Sequence, residues 1–138
     1  MATQVHPNIE LLQRSLALLT SGRVDQLADL LTDDFRINVH GAPTRVGRDA
    51  WRENVAIMQA SFSDLSVEVL HALADGDLVA VNLRFTARHT GDFLGVPATG
   101  RTVRYDSLEH YRVRDGLIAE EWIASDVGTL LSQLGVER

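Results

Sequence analysis

Leu78-Val79-Ala80-Val81-Asn82-Leu83-Arg84-Phe85-Thr86-Ala87-Arg88-His89 decides the fold, because this stretch divides by parity along its length. Val79, Val81, Leu83, Phe85 and Ala87 share one face; Asn82, Arg84, Thr86 and Arg88 share the other. A period of two belongs to a β-strand with unlike faces. The stretch from Thr102 to Val113 divides in the same way. Arg104, Asp106, Leu108, His110 and Arg112 lie opposite Val103, Tyr105, Ser107, Glu109, Tyr111 and Val113.

Turn chemistry joins these strands to neighbours. Asp75-Gly76-Asp77 predicts a tight turn after a strand over Leu65 to Ala72. Asp115-Gly116 predicts a hairpin into a last strand, Leu117 to Ala124. Gly91 to Gly100, with three Gly and a Pro, reads as a flexible flap with Phe93 and Leu94 as its apolar lid. Asp126 to Leu134 reads as a short helical tail capped by Asp126.

Upstream the period changes. Pro7 opens a helix with Ile9, Leu12, Leu16 and Leu19 on one stripe, stopped by Ser21 and Gly22. A second helix is expected over Val24 to Leu31, then a short strand from Phe35 to His40. Gly41 to Gly47 is turn-rich. Trp51, Val55, Met58 and Phe62 then align on a helix over Arg48 to Phe62, as core residues. Helices gathered early against a largely antiparallel sheet give an α+β domain. A curved sheet wrapped around the N-terminal helices leaves an apolar hollow at its open end, a natural place for a small organic ligand.

The composition agrees with one domain spanning residues 1–138, with 45% hydrophobic and 23% charged residues. A net charge of -6 argues against nucleic acid, whose binding needs dense cationic surface. All 13 basic residues are Arg. Without Cys there is no disulfide, thiolate metal site or Cys nucleophile. No apolar run reaches the about 18 residues of a membrane span, and Met1 to Asn8 has no secretory-signal pattern, so a cytoplasmic protein is expected. No histidine pair has metal-ligand spacing, and the glycines of the flap do not lead from a strand into a helix as a phosphate cradle does.

From Phe62 to Gly135 the chain resembles the SnoaL-like polyketide cyclases, within the nuclear-transport-factor-2-like fold. The matching pieces are Phe62-Ser63-Asp64-Leu65, Asp75-Gly76-Asp77-Leu78-Val79-Ala80-Val81 with Arg84, His89-Thr90-Gly91, Gly95-Val96-Pro97-Ala98-Thr99-Gly100, the run from Arg112 to Trp122, Asp126, and Gln133-Leu134-Gly135. The resemblance implies a cone-shaped α+β barrel, often a homodimer, that needs no metal or organic cofactor. It leaves the reaction open, since this fold also carries isomerases, dehydratases, hydrolases, hydroxylases and binding domains.

If the polar strand faces meet inside the cone, Arg84, Asp106 and His110 converge there. A carboxylate in an apolar hollow has a raised pKa and becomes a base near neutrality. Arg84 would polarise a carbonyl, and His110 would return the proton. The apolar faces would then form the dimer contact; in the inverse arrangement they line the pocket. Asn38, His40, His89, Glu121 and Phe93 are expected to contact substrate. In ring-closing members of the family an Asp near the end of the last strand is the base, and a His commonly precedes the Trp. Here Ile123 and Glu121 stand instead. The expected function is a cofactor-free enzyme acting on an aromatic or polyketide-like ketone. The alternatives are an accessory hydroxylase or epoxide-hydrolase-like enzyme, or a non-catalytic binding or dimerising domain.

Overall fold

The computed structural model describes residues 5–136; residues 1–4, part of the stretch read for a secretory signal, and 137–138 lie outside it. The elements run α1 (Pro7–Thr20), α2 (Val24–Ala28), β1 (Leu31–Val39), β2 (Arg45–Val46), α3 (Arg48–Ser61), β3 (Phe62–Asp75), β4 (Leu78–His89), β5 (Thr102–Arg114), β6 (Leu117–Ser125) and α4 (Val127–Gln133). One six-stranded sheet has the order β2-β1-β6-β5-β4-β3. Every ladder is antiparallel except β1 with β6. The sheet is curved and not closed, and the helices lie within its curve: an α+β architecture. Among the described residues, no helix is long and apolar enough to cross a membrane.

Local chemistry sets the element ends. Pro7 sits in the first turn of α1, where its missing N–H costs nothing, and the His6 ring accepts a hydrogen bond from the Asn8 N–H at 3.1 Å. Asp115 and Gly116 both have positive φ, 52° and 77°, as a two-residue hairpin between β5 and β6 requires. Asp126 caps α4 by accepting from the Thr129 N–H at 3.0 Å. Register shifts in β3, between Ser63 and Ser66 and between Val69 and His71, bend that strand over the helices.

Several boundaries depart from expectation, among them β3, which runs from Phe62 to Asp75 where a strand over Leu65 to Ala72 is expected. Leu30 and Leu31 leave the second helix, and Leu31 opens β1 with Phe35 and Ile37 in the core. Arg45–Val46 within the turn-rich loop pairs with Arg36 and Ile37 as a short edge strand.

The core decides which way the sheet faces. Val79, Val81, Leu83, Phe85 and Ala87 are all buried, as are Val103, Tyr105, Ser107, Glu109 and Tyr111. Leu11, Leu12, Leu16, Trp51 and Val55 complete the same apolar cluster. Removing this surface from water stabilises the fold by about 1.5–3 kcal/mol per large side chain. The apolar strand faces therefore line the interior and are not available as the expected dimer contact.

α3 passes into β3 without a loop, and the flap is rooted at that junction. The Thr90 and Gly91 N–H groups both donate to the Ser61 carbonyl at 3.0 Å, and the Ser61 hydroxyl donates to the Asp92 carbonyl at 2.7 Å. A Cβ on Gly91 would come within 1.9 Å of the Ala60 carbonyl oxygen.

Candidate active site

The hollow between sheet and helices holds a cavity of about 550 Å³. Aromatic and aliphatic side chains form most of its wall, among them Trp51, Phe62, Phe85, Phe93, Tyr105 and Ile123. That volume suits one small organic molecule.

Glu109 and Glu121 supply two carboxyl groups to this apolar wall. Glu109 lies on the inner face of β5, only 5% exposed. Its Oε1 accepts from the Tyr111 hydroxyl in a short hydrogen bond, and its Oε2 accepts from the Ser107 hydroxyl at 2.7 Å. Ser107 is in turn 3.0 Å from the Ser125 hydroxyl on β6. Glu121, on the inner face of β6, lies within hydrogen-bonding reach of both Glu109 and Tyr111. It keeps part of its surface open to the cavity while its carboxyl lies far from bulk water.

Burial raises the pKa of Glu109, opposed by the hydrogen bonds from Tyr111 and Ser107. Burial pushes Glu121 well above the ordinary carboxylate range, and the neighbouring charge of Glu109 adds to the rise. Two carboxyls this close cannot both ionise in an apolar site, so they titrate as a pair and hold one proton between them. Glu109, with two hydroxyl donors, keeps the charge. Glu121 keeps the proton. The Tyr111 hydroxyl is itself raised well above its usual value, by burial first and then by the two glutamates, so it stays a donor. Burial also pushes Tyr105 up to about 12.

The family model for SnoaL-like polyketide cyclases matches residues 9–134. The chain belongs to the SnoaL-like polyketide cyclase family. Aklanonic acid methyl ester cyclase DauD from Streptomyces sp. (strain C5) is 26% identical over 133 residues, covering 94% of this chain and 82% of that protein. IdmH from Streptomyces antibioticus, described as a candidate polyketide cyclase, superposes with a TM-score of 0.85 at 33% identity, over 95% of this chain and all (100%) of that one. A candidate SnoaL-like cyclase from Jannaschia sp. CCS1 shares the fold with a TM-score of 0.88 at 23% identity, over 99% of this chain and 100% of that one.

Within this SnoaL-like frame, the trio expected inside the cone stands outside it. Arg84 and Asp106 do meet, as register partners on β4 and β5, through a two-point ion pair at 2.8 and 3.1 Å. Their side chains are 33% and 43% exposed. They border a shallow groove with Arg104 and Thr129, on the sheet face turned away from the large cavity. The Arg84 hydrogen bond holds Asp106 below its usual pKa, the opposite of what a general base needs. His110 is exposed on that same outer face, opposite Trp122. The reason is simple parity: the apolar residues took the interior and carried their polar neighbours out.

The expected contact residues divide. His40, Glu121 and Phe93 line the SnoaL-like cavity, and the Phe93 ring lies 5.0 Å from Phe62. Asn38 does not; its amide donates to Glu120 and to the Glu121 carbonyl, at 3.0 and 3.1 Å, and accepts from Thr44. His89 is fully buried behind Phe62 rather than at the mouth, with Nδ1 accepting from the Thr99 N–H at 3.1 Å. Leu94, expected as half of the lid, is 70% exposed. Trp51, Met58 and Phe62, expected only as core, also face the cavity.

Glu109, Tyr111, Ser107 and Ser125 escaped the sequence reading. The available signal was one carboxylate, Glu109, flanked by Tyr105, Ser107 and Tyr111 on the otherwise apolar face of its strand. A buried acid among aromatics is where a shifted pKa is expected.

Proposed function

We propose that this SnoaL-like chain is a cofactor-independent, cyclase-type enzyme in which Glu109 and Glu121 act as one acid–base group on an apolar, polyketide-like ketone. The observation that carries this reading is a carboxyl pair with raised pKa values set in the wall of a 550 Å³ apolar cavity. The DauD relative is an aklanonic acid methyl ester cyclase, which favours a cyclase-type reaction here.

The ionised half of the pair takes a proton from a carbon next to a carbonyl. The enolate carbon then attacks a second carbonyl of the same molecule. The new alkoxide takes a proton from the neutral half. The pair begins and ends with one proton, and substrate and product have the same atoms. Low dielectric strengthens each charge interaction along this path, and the aromatic walls keep water from quenching the enolate. Positioned proton transfer of this kind contributes about 10²–10⁴-fold.

Proton exchange tests the chemistry without the natural substrate. Purified chain in D₂O should speed α-proton exchange of 1-phenylbutane-1,3-dione, followed by NMR. Glu109→Gln and Glu121→Gln should each lower that rate by about 10²-fold or more. Wild-type exchange in both variants would reject the assignment, and bound ligand with no exchange in the wild type would favour a binding domain. Cytoplasmic residence and a homodimer belong to the same proposal. Cell fractionation and sedimentation of the purified chain test them.

A further inference from the structure

We infer that Ser125 is a recognition point for a hydroxyl group of the ligand, an enol or a phenol, and that Ser107 relays its proton to Glu109. The inference rests on the reading above in one respect, that Glu109 is the ionised half of the carboxyl pair.

Hydrogen-bond direction carries the argument. Ser107 is fully buried and donates to Glu109 Oε2 at 2.7 Å. A hydroxyl has one proton, so Ser107 has none left for Ser125. The 3.0 Å contact between the two serines therefore runs from Ser125 to Ser107. Ser125 has then committed its own proton, and only its lone pairs face the cavity that it lines. An oxygen that can only accept selects a ligand group that can donate. Carbonyls and ethers are poor partners there, and a hydroxyl is a good one.

Geometry separates this point from the carboxyl pair. Glu121, Ile123 and Ser125 follow one another on the inner face of β6. At about 3.3 Å per residue, Ser125 stands roughly 13 Å along the strand from Glu121. Glu109 lies opposite Ile123, between the two. One carboxylate thus serves two places in the cavity, directly at Glu121 and through two hydroxyls at Ser125.

The transfer balances. The ligand O–H proton passes to Ser125 Oγ, the Ser125 proton to Ser107 Oγ, and the Ser107 proton to Glu109 Oε2, while the ligand keeps the electron pair as an oxyanion. The proton now on Ser125 points back at that oxyanion. The relay leaves behind a donor where the negative charge has formed.

2-Naphthol and its methyl ether, 2-methoxynaphthalene, are the probes. Wild-type chain should bind the naphthol about five- to tenfold more tightly, the worth of one hydrogen bond. Ser125→Val should bring the ratio near one and Ser125→Thr should restore it, with ether affinity unchanged in both. Ser107→Ala, which frees the Ser125 proton to donate, should bring the ratio near one by tightening the ether. Naphthol becomes a far stronger acid when excited, so naphtholate emission from the bound neutral probe reports an open proton path. That emission should be present in the wild type and in Ser125→Thr, and lost in Ser107→Ala. An unchanged ratio in Ser125→Val, or naphtholate emission persisting in Ser107→Ala, would overturn the inference. α-Proton exchange that ignores Glu109 and Glu121 sinks the base assignment but leaves the naphthol ratio untouched, so the two failures are distinguishable.

Discussion

Glu109 and Glu121 stand diagonally across the β5–β6 ladder: Glu109 is opposite Ile123, and Glu121 is opposite Tyr111. A direct pairing would have set the carboxyls face to face. The diagonal places the Tyr111 hydroxyl beside both.

This arrangement ties stability to pH with a definite sign. Both carboxyls bind a proton more tightly when folded than when unfolded. Their contribution is complete below the ordinary glutamate value of about 4.3 and is lost as pH rises through the raised folded values. Asp34 and Asp106, lowered by Arg114 and Arg84, act in the opposite sense and lose their contribution only in acid. Urea midpoints should therefore fall as pH rises above the ordinary glutamate value and through the raised folded ones, and Glu121→Gln should flatten that fall. A variant with the same slope as wild type would contradict the shared-proton description.

Tyr111→Phe removes the donor that helps Glu109 stay ionised. A hydrogen bond to a charged group is worth about 1.5–3 kcal/mol, so the acid limb of the exchange rate should move up by about one to two pH units. The rate at high pH should change far less. A profile that only scales down, without moving, would place Tyr111 in packing alone.

Asp106→Asn should leave α-proton exchange at the wild-type rate. The pair with Arg84 is partly solvent-exposed and lies outside the cavity, so its loss should also barely move the melting temperature. Loss of exchange in this variant would return the chemistry to the outer face.

Gly91→Ala forces a methyl group against the Ala60 carbonyl. Overpacking against backbone costs about 1–3 kcal/mol, so denaturant midpoints should drop accordingly. Gly95→Ala has open space around it but a φ of 82°, so strain alone penalises it, by about 1 kcal/mol. Equal losses at the two sites would argue against the close approach.

Much of the fold was legible because it rests on local rules. Leu78–His89 has the bounds expected from its alternation, and α1, α3, both hairpins and the Asp126 cap follow from spacing and turn chemistry. Leu30 and Leu31 misled because two leucines after Leu27 satisfy a helical stripe as well as a strand entry. The candidate site was less legible. Alternation separates the faces of β4 and β5 but does not say which one meets the helices. Chemistry argued for the polar face, yet burial of Val79, Leu83 and Val103 outweighs what Arg84 or Asp106 could gain inside. Glu121 was expected as a ligand contact and does line the cavity. Glu109 was hidden because a single acid on an apolar stripe leaves the stripe's period intact.

The seamless passage from α3 into β3 has a further consequence. Trp51, Val55 and Met58 on the helix and Phe93 on the flap face one hollow, and the flap's base is bolted to the last helical residue. Back wall and doorway are thus one rigid bracket, and neither widens without dragging the other. The size of guest this cavity admits is therefore set at that joint rather than at the exposed tip around Leu94.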